Sequence, residues 1–132
     1  MVLVDTSVWV LVLRRFRPLD LSTVVDFDEI VTCLPVIQEV LQGIRDETAF
    51  RRVREAMLSL PCVDAPLPLS GADRAVDLYR TARRQGLTVR SSVDCLIAAS
   101  ALQHGLTVLH HDRDFGVLAA VAPLRAHSVA AE

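Results

Sequence analysis

The chain contains no lysine; all fourteen of its basic residues are arginine. Any mechanism that needs a lysine is thereby excluded. Aromatic residues are scarce, with one Trp, one Tyr and four Phe. A platform of stacked rings for single-stranded bases is therefore poorly supplied. Cysteines are few, odd in number and far apart: Cys33, Cys62 and Cys95. Each lies in an apolar context, which reads as reduced core thiols in a cytoplasmic protein, and no Cys/His spacing suggests zinc. No apolar run approaches the ~20 residues of a membrane span. The longest uncharged stretch, Cys95–His111, is interrupted by Gln103, His104 and Gly105. No basic segment precedes the first apolar run, and Asp5 interrupts it, so neither a signal peptide nor a membrane role is expected. Repeats and low-complexity segments are also absent. The net charge of −2 excludes a uniformly basic nucleic-acid binder.

What remains is a chain of 132 residues, 52% of them hydrophobic. That suits a single domain over residues 1–132. A chain of this length buries roughly 68–70% of its unfolded surface. Apolar runs at 2–4, 30–34, 106–110 and 124–129 read as buried strands. The run 62–67 is ambiguous, because Pro66 and Pro68 restrict it to an edge or a loop. Helical spacing fills the intervals at 35–44, 46–60, 70–86, 92–105 and 112–122. On 70–86, Ala72, Ala75, Val76, Tyr79 and Ala82 share one face. The segment 92–105 is apolar nearly all round, as a buried helix is. Strands alternating with helices predict an α/β fold with a mainly parallel sheet, whose ligands sit beyond the carboxyl ends of the strands.

Carboxylates stand at those ends. Asp5 closes the first strand; Asp112 and Asp114 follow the strand at 106–110. Asp94 lies near the start of the buried helix, where "SSVD" (91–94) also fits a capping box. An acid on a buried helix is costly unless paired or bound to metal. Glu39 lies about 130° from the centre of its helix's apolar stripe. It reads as a surface residue, except that Gly43 one turn later leaves room for a substrate or a second layer. A carboxylate set without His or Cys suits a hard cation, Mg²⁺ or Mn²⁺. Thr6 and Ser7 then have two possible duties: orienting a carboxylate or water, and capping the first helix in place of Asp5.

Four blocks in order, "VDTSVW" (4–9), "PVIQEVLQG" (35–43), "TVRSSVDCLIAASALQHG" (88–105) and "VLHHDRDF" (108–115), resemble PIN-domain ribonucleases, and more narrowly the VapC-type toxins of toxin–antitoxin pairs. The resemblance implies a three-layer α/β/α sandwich. It implies RNA cleavage by a metal-activated water, with Mg²⁺ or Mn²⁺ held by Asp5, Glu39, Asp94 and Asp112. Asp114 matches a further, more variable acidic position, and Ser7 the favoured hydroxyl position. A cognate antitoxin is implied whose C-terminal segment blocks the site, as are homodimers that pair with antitoxin. His110 and His111 stand where relatives often carry a small residue, and are expected to be solvated.

RNA needs positive charge near the pocket. Arg80, Arg83 and Arg84 share a helix face, and Arg14, Arg15 and Arg17 follow the first helix. Arg14, Arg15 and Arg90 border the motif blocks and are the favoured RNA contacts. Two other readings compete. A receiver-type signalling domain is also α/β with acids at strand ends, but it uses a lysine that this chain lacks. A degenerate PIN-like domain would bind RNA or a partner without cleavage.

Overall fold

Five short strands lie side by side, all parallel, in the order β3-β2-β1-β4-β5. They are β1 (Val2–Val4), β2 (Ile30–Cys33), β3 (Cys62–Val63), β4 (Thr107–His110) and β5 (Ala126–Ser128). Six helices flank the sheet: α1 (Thr6–Leu13), α2 (Leu34–Gln42), α3 (Glu47–Leu58), α4 (Leu69–Arg84), α5 (Ser92–His104) and α6 (Arg113–Val121). The computed structural model describes residues 1–130; the last two residues of the expected 1–132 domain lie outside the described residues. The architecture is the α/β/α arrangement with a parallel sheet. Single 3₁₀ turns at Leu21–Thr23 and Phe27–Glu29 fill the connection from α1 to β2. Hydrophobic periodicity carries no signal for turns of three residues.

β1, β2 and β4 are each paired on both sides, and as strands of a parallel sheet covered on both faces they are largely apolar. Leu3, Val4 and Val108 are fully buried. The ambiguous run at 62–67 contributes only β3, an edge strand of two residues that ends before Pro66. Cys62 on that edge is exposed, so only Cys33 and Cys95 are core thiols; all three are free.

Helix α5 is the central helix, with Asp94, Cys95 and residues 97–101 all buried. Gly105 ends it in the left-handed conformation at φ 64°, which glycine adopts without Cβ strain. Helix α4 packs on α5 through Ala75, Leu78 and Ala82. The apolar face expected on α4 is therefore rotated: Val76 and Tyr79 are exposed, because the contact ridge follows i, i+3 and i+7.

The order of the strands has one consequence for function. The chain moves outward from β1 through β2 to β3, then crosses back to place β4 on the other side of β1. The switch in direction lies between β1 and β4, where an open parallel sheet leaves a crevice at its carboxyl edge. Asp5 follows β1 at that edge, and Asp112 follows β4.

Candidate metal centre

Asp5 caps α1. Its backbone is extended (φ −70°, ψ 156°), and Oδ2 accepts from the Ser7 N–H at 3.0 Å and from the Ser7 hydroxyl. The expectation that Thr6 or Ser7 takes over the capping is thus corrected. The geometry permits Asp5 both duties because its two oxygens divide them. Oδ2 caps the helix, whereas Oδ1 is buried and has no hydrogen-bond partner. Thr6 is turned elsewhere: its hydroxyl donates to Glu39 Oε1 at 2.9 Å, so α1 and α2 meet at the site.

Asp94 lies in the first turn of α5 and is 5% exposed. The capping box does not form, since Ser91 makes no side-chain cap bond. Asp94 Oδ2 is buried without a partner. A buried carboxylate oxygen left unpaired is expensive, and native proteins rarely leave one without a partner or a ligand. Burial pushes the Asp94 carboxyl up to about 8, and the charge of Asp5 and the neighbouring Asp112 and Asp114 add to the shift. Burial also raises Asp5, against the hydrogen bonds from Ser7 that favour its charged form.

The end of β4 supplies the other acids. Asp112 caps α6, with Oδ1 accepting from the Asp114 N–H at 2.9 Å. Asp94, Asp112 and Asp114 each place a carboxylate oxygen within 4.8 Å of the others. Asp5 and Glu39 lie outside that trio. Their charges are felt in sequence, Asp5 on Asp94 and Glu39 on Asp5. Burial works against the Asp114 carboxylate, but the N–H groups of Arg90 and Ser91 outweigh it and hold the group below its usual range. Arg90 is the basic residue at the cluster: its Nη2 is 3.9 Å from Asp112 Oδ1 and its Nε 3.8 Å from Asp114 Oδ1. Arg14 lines a groove with Val10, Leu13, Glu39 and Gly43. Arg15 instead lies over the Phe16 ring at 6.0 Å.

The expectation for His110 is also corrected. It belongs to β4, is 6% exposed, and packs on Phe115 with ring centroids 5.3 Å apart. Burial lowers its pKa, and its Nδ1 accepts from the Asp112 N–H at 3.2 Å, a contact that holds the turn before α6. His111 is exposed; its N–H donates to the Ser7 hydroxyl at 2.9 Å. β4 ends at His110, and His111 lies one residue beyond it in the turn, which is why the adjacent histidines part company.

The donor atoms are carboxylate oxygens alone, two of them buried and unpartnered, which fits a hard divalent cation. Residues 2–121 match the PIN domain family. The chain belongs to that family. Within it, the PIN domain is 35% identical to the ribonuclease VapC11 of Mycobacterium tuberculosis, over 97% of this chain and 98% of that protein. A VapC ribonuclease of Mycobacterium bovis matches to the same extent. In shape, it resembles a structure of VapBC-5 from Mycobacterium tuberculosis, with a TM-score of 0.71 and 23% identity over 96% of this chain and 97% of that one. VapBC2 of Rickettsia felis, solved with a DNA fragment from its promoter, gives a TM-score of 0.74 at 15% identity, over 98% of this chain and 100% of that one. These last two likenesses show the fold.

One polar group escaped sequence reading. Asp64, held at φ 53°, accepts from the Ser100 hydroxyl at 2.7 Å and pairs with His104 Nε2 at 2.7 Å. Ser100 and His104 are one turn apart on α5, a spacing that could have hinted at a shared partner. Nothing in the sequence pointed to Asp64, which is 36 and 40 positions away from them.

Proposed function

We propose that this PIN domain is a divalent-metal-dependent endoribonuclease and the toxin of a toxin–antitoxin pair. The observation that carries the reading is the pair of buried carboxylate oxygens, Asp5 Oδ1 and Asp94 Oδ2, left unpartnered at the switch point of a parallel sheet. The relatives' names, VapC ribonucleases, agree with it. Asp5, Asp94 and Asp112 hold the cation, and Glu39 approaches through the hydroxyl of Thr6. Mg²⁺ or Mn²⁺ bound there supplies an activated water and offsets charge on the phosphodiester.

The chain's own groups do the rest. Ser7 orients Asp5 by donating to Oδ2, which leaves Oδ1 without a hydrogen-bond partner. Asp94 would hold the cation as the ionised carboxylate, the form a metal ligand must take. Arg90 at the rim of the cluster, with Arg14 and Arg15 along the neighbouring edge, contacts the phosphates of RNA. The partner is an antitoxin whose C-terminal segment blocks the site, in a hetero-oligomer built on toxin dimers.

The test is cleavage of RNA with Mg²⁺ or Mn²⁺, compared with EDTA. Wild type cleaves only with metal, and Asp5→Asn and Asp94→Asn do not cleave. Cleavage by both variants at the wild-type rate contradicts the proposal.

A further inference from the structure

Asp114 sits in the acidic trio, yet its oxygens are already engaged. The side chain is 1% exposed. Oδ1 accepts from the backbone N–H of Arg90 at 3.1 Å. Oδ2 accepts from the same N–H at 3.1 Å and from the Ser91 N–H at 3.0 Å. The Arg90 guanidinium stands farther off, with Nε 3.8 Å from Oδ1, and the Asp94 side chain adjoins the same carboxylate. An ionised carboxylate offers about four lone-pair sites, and both of its oxygens are engaged by two backbone N–H groups, that of Arg90 shared between them. Asp5 and Asp94 differ, since each keeps a buried oxygen with no partner.

The groups that Asp114 holds are also informative. Arg90 and Ser91 are the last two residues before α5, and Ser91 makes no side-chain cap bond. Asp94 follows in the first turn of that helix. A carboxylate reaching from α6 therefore does what a local cap does elsewhere: it holds the entry to the helix.

We propose that Asp114 is a positioning residue and not a metal ligand: it clamps the Arg90–Ser91 backbone, and so places Asp94 on one side of the cation site and the Arg90 guanidinium on the other. The proposal deepens the metal-dependent reading above and rests on it. It divides the acids by work done. Asp5, Asp94 and Asp112 face the cation, and Asp114 serves the chain.

The wild-type protein provides the direct test. Carboxyl ¹³C resonances are followed during a Mg²⁺ titration of the full chain. The resonances of Asp5, Asp94 and Asp112 move and saturate together, while that of Asp114 moves least of the four. A shift at Asp114 as large as that at Asp94 overturns the assignment. If no carboxyl resonance responds to Mg²⁺, the metal-dependent reading fails, and this proposal with it. A second measurement uses Asp114→Asn, whose amide would set an N–H against the two backbone donors. In the metal-free protein, amide exchange at Arg90 and Ser91 becomes at least about tenfold faster, as expected when a buried acceptor is lost, and Asp112→Asn leaves it unchanged. Asp114→Asn still binds Mg²⁺, weakened by about 10–100-fold as for other residues that support ligands. Unchanged exchange with abolished Mg²⁺ binding overturns the proposal.

Discussion

The hydroxyl of Ser7 accepts the backbone N–H of His111 at 2.9 Å while it donates to Asp5 Oδ2. Two segments 104 positions apart are joined by one oxygen. The join is possible because β1 and β4 are neighbours in register, Val4 opposite Leu109, with the Asp5 N–H donating to the Leu109 carbonyl at 2.9 Å. Ser7 thus fixes the distance between the ends of the two strands that carry Asp5 and Asp112. Ser7→Ala leaves Asp5 capped by the Ser7 backbone alone and strands the His111 N–H. The expected stability loss is about 1 kcal/mol. The expected loss of cleavage rate is larger, about 10–100-fold, as for residues that orient ligands. Thermal melting and single-turnover cleavage measure the two effects. A variant that cleaves at the wild-type rate removes Ser7 from the site.

Asp94 makes the stability of the metal-free protein depend on pH. In the unfolded chain its carboxyl titrates near 3.8, and in the folded protein burial moves it to about 8. The folded state holds the extra proton across that window, so this group's contribution to stability is complete below about pH 4 and is lost as pH rises toward 8. Asp94→Asn removes the titration. The metal-free variant melts above wild type near pH 8 and shows no such gain near pH 4. Melting curves across that range in EDTA check the sign. A variant whose curve runs parallel to wild type contradicts a raised Asp94.

The same residue governs cation affinity. Binding requires the ionised carboxylate, so it releases a proton below about pH 8. The apparent affinity for Mn²⁺ rises with pH up to that point and then levels. Titrations in buffers of different ionisation enthalpy count the proton directly.

Away from the cluster, Asp64 ties the β3–α4 connection to α5. Its side chain is 9% exposed, and both oxygens are engaged by Ser100 and His104. Burial opposes its charge, but His104 and Ser100 hold the carboxyl below its usual range. Its contribution is therefore present above the ordinary carboxylate range and is lost as pH falls through the lowered value. Asp64→Ala costs about 1–3 kcal/mol, the penalty for stranding the buried Ser100 hydroxyl, and leaves metal binding intact. Urea unfolding at neutral pH measures the first, and a Mn²⁺ titration the second.

Much of the fold was legible because periodicity reports burial. The runs at 2–4, 30–34 and 106–110 are apolar on both faces, and they hold the three interior strands. The segment at 92–105 is apolar all round, and so it is the helix packed beneath the sheet and α4. Periodicity does not report which of two neighbouring ridges makes a contact, which is why Val76 and Tyr79 were expected inside and are exposed. The acids were legible as strand-end carboxylates, but their division of labour was not. Asp5 and Asp114 look alike in sequence; one keeps an unpartnered oxygen and the other spends both on backbone N–H groups 23 and 24 positions earlier. His110 was misread because a strand end and a loop differ by one residue, and that residue decides whether a ring packs on Phe115 or faces water.

The central claim is that Asp5 and Asp94 jointly hold one divalent cation. Isothermal titration of the full chain with Mn²⁺ at about pH 8, on wild type, Asp5→Asn and Asp94→Asn, tests it most directly. The account predicts saturable binding to wild type and its loss in each variant. Binding to both variants with wild-type affinity, or none to wild type, contradicts it.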